Sequence, residues 1–348
     1  MKKLVLLLLI TTSLFAQNEP AFLFANKENN LGYGGTISTI LSTKDTSGNT
    51  YLIGTFANLA DFDPSAAVAD LTSISSADMY IAKYDSNGNY LWAENIGGLG
   101  TVAPSAIVIG GGFIYLAGNY TNIVDFDPSA NVSNLNTTNE LGSGYLAKYD
   151  LNGFFVLSKS LDGIGTITIN DMKFLSNQVV ITGYLTETMD LDPSINTLQL
   201  TSNGLTDAFI AKYSNSLLLQ SAINFGGSLN DMATSLALDS SGNIIISGSY
   251  LGTVDFDPSA SDNSLTTTTT SISHTFIGKY NSNLIFQWVK GIGGRSSTNS
   301  NSKLVLDSAA NILITGSYTS TSDFDPSAAT ASLTASNSDV FIAIYECC

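Results

Sequence analysis

The pentapeptide Asp-Phe-Asp-Pro-Ser begins at Asp61, Asp125, Asp255 and Asp323 and returns as Asp-Leu-Asp-Pro-Ser at Asp190, so its copies stand 64, 65, 65 and 68 residues apart. Five copies at a near-constant period describe one supersecondary unit repeated along the chain, which restricts the fold to architectures built by repetition. A glycine lies seven residues before the first Asp of every copy, at Gly54, Gly118, Gly183, Gly248 and Gly316. That fixed offset ties each glycine and its pentapeptide to one rigid piece of backbone.

A second marker follows each pentapeptide: Tyr80-Ile81-Ala82-Lys83, Tyr145-Leu146-Ala147-Lys148, Phe209-Ile210-Ala211-Lys212, Phe276-Ile277-Gly278-Lys279 and Phe341-Ile342-Ala343-Ile344. Aromatic and β-branched content predicts strands there. Hairpin signals flank them, such as Asp85-Ser86-Asn87-Gly88-Asn89 after the marker and Asp239-Ser240-Ser241-Gly242-Asn243 before the glycine strand. Each unit therefore predicts four antiparallel strands, A to D, with 235–238, 244–250, 276–280 and 285–289 as one set. Four such strands make a propeller blade. Phe22-Leu23-Phe24-Ala25 resembles a D strand without its own A, B and C, and the last copy stops at a C strand, 340–345, without its D. The expectation is an all-β, five-bladed β-propeller with four antiparallel strands per blade. Its ring closes where the N-terminal strand pairs with the C-terminal strand, leaving no open edge.

The strand B pattern Gly242-Asn243-Ile244-Ile245-Ile246-Ser247-Gly248, the flanking Asp207-Ala208-Phe209-Ile210-Ala211-Lys212 and the Gly-Gly pairs together resemble the SBBP class of bacterial β-propeller repeats. The resemblance covers nearly all of the chain after its first residues. It implies a propeller in an exported or cell-surface protein and no particular chemistry, because the class is defined by its blade. The class name implies seven blades, whereas five copies are present here.

Met1-Lys2-Lys3 followed by an uncharged run from Leu4 to Ile10 reads as a signal peptide, 1–16, leaving 17–348 as a single domain. The apolar run is much shorter than the roughly 20 residues of a membrane span. With 13 basic and 29 acidic residues the chain carries −16, and loss of Lys2 and Lys3 makes it 11 − 29 = −18. Nucleic acid is a poor partner for such a surface. Cys347 and Cys348 are the only cysteines and His274 the only histidine, so neither a disulfide framework nor a multi-histidine metal site is available. The expected protein is an exported monomer: secreted, periplasmic or cell-surface.

The B-to-C and D-to-A connections of antiparallel blades emerge on one rim, which places all five Asp-x-Asp-Pro-Ser segments there. Alternation along an extended strand would let the carboxylates of Asp61 and Asp63, Asp125 and Asp127, Asp190 and Asp192, Asp255 and Asp257, and Asp323 and Asp325 converge in pairs. Two readings stand side by side. The pairs are Ca²⁺ sites completed by loop carbonyls and water, or they cap turns by accepting from backbone N–H groups. Loop lengths on that rim vary, which is where recognition of a glycan or protein ligand is expected. The alternative is a propeller-type glycoside hydrolase or lyase, which needs two carboxylates roughly 5 to 9 Å apart. The acids outside the repeat include Glu94, Glu140, Glu187, Asp162, Asp171 and Asp231.

Overall fold

The structure is a computed structural model that describes residues 36–137, 139–267, 269–293, 302–327 and 329–346. The expected leader, the expected strand at 22–25 and Cys347 and Cys348 lie outside the described residues. Those residues hold strands and no helix, and hence no helix long and apolar enough to cross a membrane.

Four four-stranded antiparallel meanders succeed one another along the chain. The first consists of Thr36–Lys44, Thr50–Ala57, Asp78–Tyr84 and Tyr90–Gly98. The second consists of Val102–Gly110, Phe113–Tyr120, Ser143–Asp150 and Phe155–Leu161. The third consists of Ile167–Leu175, Gln178–Leu185, Asp207–Ser214 and Leu219–Phe225. In the fourth, strands A to D are Met232–Leu238, Ile244–Tyr250, His274–Tyr280 and Phe286–Ile292. The fifth sheet has three described strands, Lys303–Leu306, Ile312–Asp323 and Ser332–Tyr345. Four strands were expected in every unit. Here the C strand keeps an open edge among the described residues, and Val340, Ile342 and Ile344 are exposed along it.

Strand A is longer than its sequence suggests because a bulge interrupts its alternation. The register shifts at Thr39/Leu41, Pro104/Ala106, Ile169/Asp171 and Ala233/Ser235, opposite the repeated glycine of strand B. A Cβ on Gly54, Gly118, Gly183 or Gly248 would lie between 1.8 and 2.1 Å from a strand A carbonyl oxygen. Only glycine lets the bulged strand approach so closely.

The hairpins are capped locally. Asp45 Oδ1 accepts from the N–H groups of Ser47 and Asn49, both at 2.9 Å, and Asp239 and Asp307 repeat this with their own Asn. The turn then needs a residue with positive φ, supplied by Gly48 (84°) and Gly242 (78°) but by Ala310 (63°) in the fifth unit.

Successive sheets pack face to face, their A strands adjacent. The core between two sheets includes a residue from the D strand of the earlier one: Ile96, Leu161, Phe225 and Ile292. The outer face of the first sheet carries a smaller cluster of Phe56, Phe62, Tyr80 and Tyr84 that has no such contribution among the described residues.

Candidate functional site

The Asp-x-Asp-Pro-Ser segments all belong to one type of arm. After strand B a tight turn leads into a three-residue strand ending on the first Asp: Leu59–Asp61, Ile123–Asp125, Thr188–Asp190 and Thr253–Asp255. Each pairs with a returning strand, Asp70–Thr72, Asn134–Asn136, Gln199–Thr201 and Ser264–Thr266. In the fifth unit the same pairing continues one long hairpin, through Asp323↔Ser332.

The strand ends at the first Asp, and each carboxylate of the motif turns to nearby backbone. Asp61 Oδ1 accepts from the N–H groups of Asp63 at 3.0 Å and Ala69 at 2.8 Å. Asp125, Asp190, Asp255 and Asp323 do the same with the residues two and eight positions on. The second carboxylates, on Asp63, Asp127, Asp192, Asp257 and Asp325, each accept from the N–H of the Ser two residues later, at 2.8 to 3.0 Å. Both carboxylates of every motif therefore close a turn. Among the described residues no three His, Cys, Asp or Glu side chains come together as a metal-binding group. Oδ1 is bonded to N–H in all ten residues, so each carboxylate caps a turn through that oxygen.

The intervening residue is buried in every unit: Phe62, Phe126, Leu191, Phe256 and Phe324. Its carbonyl accepts from the tyrosine at the end of strand C. Tyr84 bonds Phe62 at 2.9 Å, Tyr149 bonds Phe126 at 2.7 Å, Tyr213 bonds Leu191 at 2.9 Å, Tyr280 bonds Phe256 at 2.7 Å and Tyr345 bonds Phe324 at 2.8 Å. Burial pushes the phenols of Tyr149, Tyr213, Tyr280 and Tyr345 far above their usual range, so they act as permanent donors.

The arms also join neighbouring units. Gly97 and Gly98 at the end of the first sheet pair with Asp125 and Val124 of the second unit's arm. The N–H of Asp190 donates to the carbonyl of Asp162 at 2.7 Å, and that of Gly293 donates to Asp323 at 3.0 Å. The B-to-C and D-to-A connections thus share one rim, as expected.

The first three lysines of the strand C marker bond backbone carbonyls of the next unit. Lys83 donates to the carbonyl of Leu151 at 2.9 Å, Lys148 to Asn215 at 2.7 Å, and Lys212 to Ser282. Each reaches the C-to-D hairpin of the next sheet. Lys279 instead lies 3.8 Å from Asp239. Lys148 also sits 3.8 Å above the Phe113 ring, and burial lowers the pKa of Lys148 and Lys212.

Of the acids outside the repeat, Asp171 is tied to Ser235 Oγ at 3.1 Å and the Leu236 N–H at 2.9 Å, with Lys173 beside it. Burial raises the pKa of Glu94. Asp162 joins Asp190, Asp192, Ser158, Ser160 and Lys159 around a polar cleft of about 380 Å³ between the second sheet and the third unit's arm. His274 is buried, edge-on to Tyr250 at 5.8 Å. Asp207 and Asp231 are buried together around Gly226-Gly227. Their pairing is invisible in one repeat, but the register offered a signal. Asp231 holds the position that is Val102 in the second sheet and Ile167 in the third.

No protein-family profile matches the chain, and no curated protein matches it. Among solved structures, a subtype N11 neuraminidase-like protein of A/flat-faced bat/Peru is similar at 12% identity and a TM-score of 0.36. The match covers 89% of this chain and 88% of that one. A likeness at that score carries no argument about activity.

Proposed function

We propose that this chain is an exported, monomeric five-bladed β-propeller that acts as a binding module for a glycan or protein ligand through the rim formed by its B-to-C and D-to-A connections. One observation carries the binding reading. The rim's backbone is held alike in every unit by Asp and Tyr caps, while the residues between those caps differ and project apolar side chains into solvent. Val68, Val132, Leu141, Ile164, Ile195 and Leu205 are all more than half exposed. A rigid frame with variable exposed loops is the usual construction of a recognition surface.

The five-bladed ring is supported by two unfilled positions that match each other. The fifth sheet has an open C strand edge, and the first arm, Leu59–Asp61, has no partner of the kind Gly97 and Gly98 provide to the second, among the described residues. In the complete units one D strand fills both positions. The N-terminal segment expected to be a D strand is the occupant assigned to them.

The reading is tested with chain 17–348 by calorimetric titration against a panel of soluble polysaccharides, beside a variant carrying Leu141→Ser, Ile164→Ser and Leu205→Ser. Binding that disappears in the variant while its unfolding midpoint is unchanged supports the rim. Binding that survives places the site elsewhere, and release of reducing ends during titration favours the glycosidase or lyase.

A further inference from the structure

Where the third and fourth sheets meet, two carboxylates are buried on either side of one dipeptide. The Asp207 carboxyl presses on Gly226, whose added Cβ would lie 2.4 Å from Asp207 Cγ. The next N–H, that of Gly227, donates to Asp231 Oδ2 at 2.7 Å, and the N–H of Leu251 donates to Asp231 Oδ1 at 2.9 Å. Asp207 Oδ2 accepts from the Asn203 N–H at 3.1 Å and from Asn224 Nδ2 at 3.0 Å. Asp207 Oδ1 has no hydrogen-bond partner, although Asp207 is 0% and Asp231 1% exposed.

The first sheet shows what this position looks like with one acid. Asp78 presses on Gly97 in the same way, but both of its oxygens are bonded, by the Ile74 N–H at 2.6 Å and Ser75 Oγ at 3.1 Å. The residue placed like Asp231 there is Val102. A second buried acid therefore distinguishes the junction of the third and fourth sheets. Two unneutralised carboxylates in one dry site are unfavourable, and a proton removes one charge.

We infer that Asp207 and Asp231 retain one proton between them in mild acid, making this junction an acid-tightened clasp on the two rim connections that meet there, 203–206 and 226–231. A proton on either carboxyl removes one of the two buried charges, and Asp207 Oδ1, which no N–H serves, is the oxygen least committed to the charged form. Hydrogen bonds join those connections: the N–H of Asp231 donates to the carbonyl of Thr206 at 2.9 Å, Thr206 bridges to Asn230, and Asn203 Nδ2 donates to the Gly226 carbonyl at 3.2 Å. Loss of the proton restores the second charge and loosens both connections, so the rim's conformation depends on pH.

Burial, opposed in part by the Gly227 and Leu251 N–H groups and assisted by the charge on Asp207, pushes Asp231 up to about 6; burial also raises Asp207. Other titratable groups on the packed elements are His274 with Tyr250, Asp255 on the fourth unit's arm, and Asp171 with Lys173. Asp207 is the charge that acts on Asp231. A folded pKa above the unfolded 3.8 gives stability that is present in acid and lost as pH rises through the folded value. Between pH 5 and pH 8 this amounts to an approximately tenfold fall in the folding constant.

The test is urea unfolding of chain 17–348 at pH 5, 6, 7 and 8, for the native sequence, Asp207→Asn, and His274→Gln as the control for the imidazole. In Asp207→Asn the amide oxygen keeps the Asn203 and Asn224 bonds, and the NH₂ takes the place of the orphaned oxygen and removes its charge. The expected result is that Asp207→Asn is the more stable protein at pH 8 and shows a smaller pH dependence than the native chain, whereas His274→Gln keeps the tenfold change. Carboxyl ¹³C NMR of the native chain should show an Asp titrating near pH 6 that moves to lower pH in Asp207→Asn. Parallel pH profiles for native and Asp207→Asn, or the absence of any Asp titrating above pH 5, overturn the inference.

Discussion

Replacing Tyr149 by Phe deletes one oxygen and leaves the ring. Tyr149 is fully buried, its hydroxyl donates to the Phe126 carbonyl at 2.7 Å, and its ring packs edge-on to Phe155 at 5.8 Å. The ring contact survives the substitution, so the cost is that of a buried carbonyl left without its donor, about 1–3 kcal/mol. Unfolding entropy near 2.1 cal/mol/K per residue gives roughly 0.7 kcal/mol/K for a chain of this size, so the melting point should fall by about 1.5–4 °C. Tyr213→Phe and Tyr280→Phe should behave alike, because their hydroxyls are equally buried against Leu191 and Phe256. Tyr345→Phe should cost less, since its bond is partly open to water, which can take over the carbonyl. Differential scanning calorimetry measures the shift, and hydrogen exchange locates it. The amides of Asp127 and Ser133, which close on Asp125 Oδ1, should exchange faster in Tyr149→Phe while the corresponding amides of Asp257 and Asn263 do not change. A melting point within about 0.5 °C of the native value in all three buried variants would refute the view that the tyrosines hold the rim.

Three other perturbations draw on the same geometry. Gly183→Ala places a Cβ 1.8 Å from the Thr168 carbonyl oxygen, so strand A must move; a loss on the order of 3 kcal/mol or more is expected in urea unfolding, from overpacking. Ala310→Gly relieves a φ of 63° at a turn position that is glycine in the first and fourth units, and should raise stability by about 1 kcal/mol in the same assay. Excess Ca²⁺ compared with chelator should leave the melting point unchanged, because the Asp-x-Asp oxygens that point into each loop already bond N–H groups. A rise of several degrees would show that they hold the ion instead.

The parts of this protein that sequence alone determines are those whose interactions close within a few residues. Asp61 meets the N–H groups two and eight residues on, Asp239 those two and four residues on, and the turn residues adopt positive φ in place. Such contacts leave a fixed motif in every copy, which is why the period and the strands are legible, and why turn capping stands beside Ca²⁺ binding as a sequence reading of Asp-x-Asp-Pro-Ser. The glycine of strand B is legible as a constant offset within the chain, but its reason, the bulge in strand A, appears only when the strands are paired. Interactions that cross between units leave no local trace. Lys83 and Leu151 are 68 residues apart, Lys148 and Asn215 are 67 apart, and either partner alone suits many surroundings. Asp207 and Asp231 read as ordinary strand-end acids until the third and fourth sheets are packed and bury both. Tertiary structure decided that pairing because desolvation and charge proximity depend on what lies next to a residue in space, which a repeat of single-strand patterns does not encode.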